Sequence, residues 1–284
     1  MEVSFYPGCS FDGVAREYRE SVEAVCRTLG VDLQELPDWT CCGASSAHVT
    51  DDDLAVALAA RNLEIADRIG KDLVVPCAAC FQRLKVAEKE LSQGKPVEGL
   101  SGKFEGGFRV RTIVDFFWED VGEDAWKSRV RKPLGALNPV CYYGCLTARP
   151  PKVTDSRNPE DPQSMDRLIR SLGANVRNWS YKTDCCGGNL TLTRPDIACK
   201  LTQKLLDMAE EADADCIVVS CPMCYQNVDS QQAEIARNTG REYAVPVYFF
   251  SELMGLAFGD PSVEKWLGRH MTDPVPLLRQ RGLL

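Results

Sequence analysis

Cysteine is the residue whose type and spacing first suggest chemistry: ten of the fourteen cysteines form two sets of five with one shared pattern. Cys9 is separated by 31 residues from the adjacent pair Cys41-Cys42, and 34 residues more lead to Cys77-Ala-Ala-Cys80. Cys145 is separated by 39 residues from Cys185-Cys186, and again 34 residues lead to Cys221-Pro-Met-Cys224. Thiolates are soft ligands for zinc and for iron–sulfur clusters, and a CxxC alone can run dithiol redox chemistry. Three readings therefore compete. A structural zinc site uses four ligands in a tetrahedron, and two neighbouring cysteines fit awkwardly on one small ion. A redox dithiol accounts for each CxxC but not for Cys9 or Cys41-Cys42, nor for their counterparts. A multi-iron cluster engages all five, because adjacent thiolates can reach different iron atoms.

The repeat runs past the cysteines, which marks a duplicated module. Tyr6-Pro7-Gly8-Cys9 matches Tyr142-Tyr143-Gly144-Cys145, Ser21 to Gly30 matches Ser164 to Gly173, and Val74-Val75-Pro76-Cys77 matches Val218-Val219-Ser220-Cys221. The module ends also correspond, Phe116-Phe117-Trp118-Glu119 against Phe249-Phe250-Ser251-Glu252. Cys141 precedes Cys145 by four residues, and the alignment of Gly144-Cys145 with Gly8-Cys9 selects Cys145. Cys26, Cys199 and Cys216 lack repeat partners and read as small buried hydrophobes.

The elements that must position these cysteines follow from periodicity. Val14, Tyr18, Val22, Val25 and Leu29 recur at helical spacing and stop at Gly30, a suitable C-cap. Leu54, Leu58, Ile65 and Ile69 do the same before Gly70, and Ile197, Leu201, Leu205 and Met208 do so after Pro195; all three stripes are expected to face the core. The short β-branched runs Leu73 to Val75 and Ile217 to Val219 predict strands, each leading into a CxxC and a helix. Each module is then an α/β unit whose cysteines gather beyond the strand ends, where open α/β sheets bind ligands. A CxxC at a helix N-terminus favours thiolate over thiol. The expected division is residues 1–132 and 133–284, with the charged stretch Glu119 to Lys132 closing the first module and Pro133 to Pro139 as connector.

A net charge of −8 and a pI near 5.0 argue against a nucleic-acid partner. No segment approaches the roughly 18 apolar residues of a spanning helix, and the N-terminus has no basic, apolar leader. The expectation is a cytoplasmic protein without membrane insertion, in which disulfides are disfavoured.

The two motifs, together with Arg149-Pro150-Pro151-Lys152, Asn158 to Asp166 and Val245-Pro246-Val247-Tyr248-Phe249-Phe250, resemble the two cysteine-rich CCG domains of the heterodisulfide reductase B-subunit family over nearly the whole chain. The resemblance implies two noncubane 4Fe-4S clusters, one on Cys9, Cys41, Cys42, Cys77 and Cys80, the other on Cys145, Cys185, Cys186, Cys221 and Cys224. It further implies an oxidoreductase that reduces or forms a disulfide or related sulfur substrate, in a complex with subunits resembling heterodisulfide reductase C and A. The alternative is an electron-transfer subunit of another CCG-domain oxidoreductase, of lactate, glycolate, glycerol-3-phosphate or succinate type. No GxGxxG fingerprint and no ferredoxin-type cysteine run is present, so electrons are expected from a partner protein. Only His48 and His270 are available for acid–base work; His48 reads as an exposed loop residue, and His270 carries no signal.

Overall fold

The computed structural model describes residues 1–97, 99–100 and 104–284. The first module builds a four-stranded parallel sheet from β1 (Glu2–Phe5), β2 (Asp32–Glu35), β3 (Leu73–Val75) and β4 (Val110–Thr112), in the order β2-β1-β3-β4. The second builds a three-stranded parallel sheet from β5 (Pro139–Tyr142), β6 (Cys216–Val219) and β7 (Val247–Phe249), in that order. Pro139, expected in the connector, opens β5. The counterpart of β2 survives as an irregular edge segment, where Asn175 and Arg177 donate backbone N–H groups to the carbonyls of Leu137 and Pro139.

Helices connect the parallel strands, as such sheets require. The helix Arg16–Leu29 ends on Gly30 at φ 68°, Asp52–Ile69 ends on Gly70 at φ 69°, and Pro195–Glu211 opens on its proline, all as expected. The predicted faces need correction. Val14 precedes its helix and is exposed; Leu54 and Ile69 are also turned outward, and Leu58 is half-buried. Ile65 is buried as expected, but most of the core face of Asp52–Ile69 runs through Ala55, Val56, Ala59, Ala60, Leu63 and Ala66. Its small side chains let the backbone pack closely on the helix Ala78–Ser92. In Pro195–Glu211, Ile197, Leu201 and Met208 are half-buried, and the buried line is Ala198, Cys199, Thr202, Leu205, Leu206 and Ala209.

The modules share one continuous hydrophobic core. The helix Arg16–Leu29 of the first packs on Phe250–Phe258 and Val263–Leu267 of the second. In return, Ser164–Ser171 of the second packs on the segment Ile113–Lys127 of the first, where the Trp126 indole N–H donates to Ser171 Oγ at 2.8 Å. Near the centre of this exchange the corresponding residues Phe117 and Phe250 meet edge-on, with ring centroids 5.6 Å apart. Ser21 and Ser251 share a buried hydrogen bond of 2.7 Å. The longer gap before Cys185 forms a strap, through which Asp155 reaches Lys85 at 2.9 Å and Lys89 on the first module. Among the described residues, no helix is long and apolar enough to cross a membrane.

Candidate metal centre

Eight of the ten cysteines lie beyond the carboxyl end of a strand or at the start of the following helix, and Cys185 and Cys186 follow the irregular edge segment in the place of such a strand. Cys9 opens a one-turn helix after β1, and Cys145 does the same after β5. Cys77 is the N-cap of Ala78–Ser92, with Cys80 in its first turn; Cys221 is the N-cap of Pro222–Thr239, with Cys224 in its first turn. Since β1 and β3 are the strands at which the sheet order reverses, Cys9 and Cys77 flank its topological switch point.

Each adjacent pair sits in a nest of backbone donors. Gly43 N–H donates to Cys41 Sγ at 3.4 Å, and Gly187 N–H donates to Cys185 Sγ at 3.3 Å. The next N–H groups, of Ala44 and Gly188, point at Cys42 and Cys186. Such a nest needs the left-handed turn that Gly43 and Gly187 make, at φ 75° and 81°. A Cβ on Gly187 would lie 2.8 Å from Ala198 Cα. The tyrosine of each Tyr-x-Gly-Cys motif braces the same loop: Tyr6 donates to the Thr40 carbonyl and Tyr142 to the Asp184 carbonyl, both at 2.7 Å.

The sulfurs gather in pairs. Cys42 and Cys80 are 3.2 Å apart. Cys41 lies beside Cys42, Cys77 beside Cys80, Cys145 beside Cys185, and both Cys186 and Cys221 beside Cys224, each near enough to shift its neighbour. Across the modules Cys77 and Cys221 are near enough to shift one another, and the Ala78 N–H is aimed at Cys221. The two CxxC helices therefore meet N-terminus to N-terminus. Their combined dipoles gather positive potential where the sulfurs crowd.

This crowding dictates the ionisation. Hydrogen bonds from Cys41 and Cys80 hold Cys42 down at about 3, and a bond from Cys145 holds Cys185 at about 6. The donors Cys41 and Cys145 are correspondingly pushed up, by those hydrogen bonds and by burial. In the first set Cys42 is held toward thiolate while Cys41, Cys77 and Cys80 are pushed up; in the second Cys185, Cys186 and Cys221 are held down while Cys145 and Cys224 are pushed up, and no lysine or arginine lies among the groups that shift them. Five thiolates would need positive charge from a bound group. Among the described residues no three or more His, Cys, Asp or Glu side chains close on a single metal ion.

The backbone comes close to the sulfurs without side chains in the way. Gly8 and Gly144 stand at φ 70° and 77°, and a Cβ there would lie 3.1 Å from Cys80 Sγ and 2.7 Å from Cys224 Sγ. Beside the second set a small cleft of about 70 Å³ opens to solvent. It is lined by Cys145, Cys185, Cys186, Cys221 and Cys224, with Leu146, Leu190 and Met223 at its apolar walls and Ala78 and Ala79 from the first module. The all-sulfur donors, glycine clearance and backbone nests fit an iron–sulfur core.

The CCG cysteine-rich domain pattern matches residues 3–85 and 140–229, one copy on each set of five. The chain belongs to the CCG cysteine-rich domain family. The CCG chain is 31% identical to the 8-methylmenaquinol:fumarate reductase membrane anchor subunit of Wolinella succinogenes, across 97% of this chain and 99% of that one. It is 27% identical to the B subunit of the ferredoxin:CoB-CoM heterodisulfide reductase of Methanosarcina mazei, across 91% and 89%. In fold it resembles a hypothetical protein from Helicobacter pylori, with a TM-score of 0.73 at 11% identity, covering 96% of the CCG chain and 52% of that one. The chain thus spans about half the length of that structure.

The remaining cysteines lie apart. Cys141 is fully buried in β5, where burial pushes its thiol up and Asp166 and Lys182 are its charged neighbours; Cys145 is the residue that meets Cys185. Cys26, Cys199 and Cys216 are buried, Cys26 pushed up to about 12 by burial, and Cys199 donates to Gln231 at 2.9 Å. The histidines depart from expectation. His48 is half-buried in a short helix, Ala47–Thr50, with Nδ1 buried and unpartnered. The His270 side chain is fully buried against Glu252, with Nε2 to Oε1 at 2.9 Å. A charged tail sequence gave no sign of this, because the partner is 18 residues away.

Proposed function

We propose that this chain is the iron–sulfur subunit of a multisubunit oxidoreductase, in which each five-cysteine set holds one noncubane 4Fe-4S cluster and the pair handles a disulfide or related sulfur substrate. The observation that carries this reading is that Ala78 and Ala79, which follow Cys77 of the first set, line the same cleft as all five cysteines of the second, so that the two sets adjoin at one seam. When bound, such clusters supply electrons and iron positions that accept sulfur. The chain itself supplies ten sulfur ligands, backbone N–H groups directed at the adjacent pairs, and a solvent-open, apolar-walled cleft at the second set through which a thiol or disulfide would approach. Reduction of a disulfide takes two electrons and two protons and yields two thiols. Electrons come from a partner protein, for which subunits resembling heterodisulfide reductase C and A are the first candidates. A location in the cytoplasm is part of the proposal, as is the division at residues 132 and 133.

A second reading is favoured by the Wolinella relative, which aligns over almost all of both chains. The CCG chain would then pass electrons within a quinol:fumarate type of complex, without sulfur chemistry of its own. Both readings are separated by iron, acid-labile sulfide and paramagnetic resonance on anaerobically prepared protein. About eight irons per chain, with a signal that changes when thiol is added during oxidation, supports the sulfur reading. The same iron content without a thiol response supports electron transfer. Stoichiometric zinc without sulfide sinks both.

A further inference from the structure

Beside the sulfur seam lies a second cluster of ionisable groups that neither reading uses. Glu17, on the first-module helix Arg16–Leu29, is only 4% exposed and faces Glu252 and His270 of the second module. Glu252 is 1% exposed; one carboxylate oxygen accepts the Phe249 N–H at 2.9 Å, and the other meets His270. His270 Nδ1 is buried without a partner. Asp229, on Pro222–Thr239, accepts from the backbone of Met271 and Thr272 and is occupied in holding the tail. Tyr225, from the same helix, lies edge-on to His270 at 5.1 Å, and the Tyr248 ring of β7 lies 6.4 Å from it.

Aromatic rings join this cluster to the sulfurs. Tyr225, next to Cys224, packs on Phe249 at 4.3 Å; Phe249 stacks on Tyr18 at 4.0 Å, only 3° from parallel. The Tyr18 hydroxyl donates at 2.7 Å to the carbonyl of Ser220, the residue before Cys221. Toward solvent, Glu20 lies one turn from Glu17 and pairs with Arg269 at 2.8 Å and Lys265 at 2.9 Å. Burial pushes Glu17 up and Glu252 pushes it further, against the pull of its own backbone N–H, His270 and Arg269. Burial pulls His270 down, but Glu252, Asp229 and Glu17 outweigh it and hold it above its ordinary value.

We propose that Glu17, beside the Glu252–His270 pair, is a proton-binding site that fills and empties with the redox state of the sulfur centre. The proposal rests on the reading that the cysteine sets hold a redox-active cluster. An electron arriving from the partner protein makes the seam more negative, and a buried carboxylate nearby then favours its protonated form. One electron at the centre is matched by one proton from solvent, bound to a carboxylate oxygen of Glu17; both leave on reoxidation. Glu17 touches no substrate and acts by charge compensation alone.

The test uses full-length, cluster-loaded protein. Midpoint potentials are measured at a series of pH values from weakly acidic to neutral, with an infrared difference spectrum between the oxidised and reduced forms. The wild type is expected to lose potential as pH rises, and to show a protonated-carboxyl band on reduction. Glu17→Gln, at unchanged iron and sulfide content, is expected to lose both. A wild-type slope and band retained in Glu17→Gln would overturn the proposal. Should that variant fail to load, His270→Gln replaces it: loss of the cation beside Glu17 moves the onset of the pH dependence upward, and an unmoved onset overturns the site. A cluster-loaded wild type whose potential ignores pH overturns the proton site alone, whereas protein without iron and sulfide overturns the proposed function itself.

Discussion

Gly144 and Cys224 are closer than a side chain would allow: a Cβ on Gly144 falls 2.7 Å from Cys224 Sγ, and the backbone there is left-handed. Gly144→Ala therefore has to displace the sulfur, and iron content is expected to fall to about half, because only the second set is disturbed. Gly30→Ala is the control, since its Cβ meets nothing within 4 Å; it lowers stability by about 1 kcal/mol through its left-handed φ and leaves iron unchanged. Cysteines divide in the same way. Cys42→Ser is expected to remove about half the iron and sulfide, and Cys26→Ser none, measured on protein reconstituted side by side. Spacing alone picked out the ten grouped cysteines, because an adjacent pair at 34 residues from a CxxC recurs in both halves. Spacing could not pick out Glu17 or His270, whose partners sit on another module and leave no local pattern.

At the scale of elements, the exchanged helices are held by a small number of specific contacts. Tyr18→Phe removes the hydrogen bond to the Ser220 carbonyl while keeping the ring stack on Phe249, and is expected to lower unfolding free energy by about 1 kcal/mol in denaturant titration. Gly255→Ala is expected to lower it by about 1–3 kcal/mol, because the new methyl would lie 2.6 Å from the Trp266 ring. Helix ends were legible in the sequence, since Gly30, Gly70 and Pro195 each act through local backbone geometry. Helix faces were less so. In Asp52–Ile69 the eye follows Leu54 and Ile69, whereas packing selects the alanine line that permits the closest approach of a neighbouring helix.

For the whole molecule, the shared core predicts one cooperative unfolding transition, followed equally by tryptophan fluorescence and far-ultraviolet circular dichroism. Two separated transitions would contradict it. The pH dependence has a fixed sign. Glu17 and His270 both bind protons more tightly in the folded chain, so their contribution is greatest at low pH and is lost as pH rises, from about 4.3 upward for Glu17 and from about 6.5 upward for His270. His270→Gln is expected to flatten the fall above neutrality, measured by denaturant midpoints in a pH series. The duplication was legible as a repeat, but the way its halves exchange helices was not, because periodicity reports that a face is buried and not which chain segment covers it.

That exchange has a consequence for ancestry. The helix Arg16–Leu29 covers the second module, and Ser164–Ser171 covers the first, so each half carries the surface that its other half lacks. A polypeptide of one module alone would find that missing surface only on a second copy of itself. Tandem fusion makes such a homodimer unimolecular: assembly no longer depends on concentration, and the two halves become free to diverge, as the strap before Cys185 shows that they have.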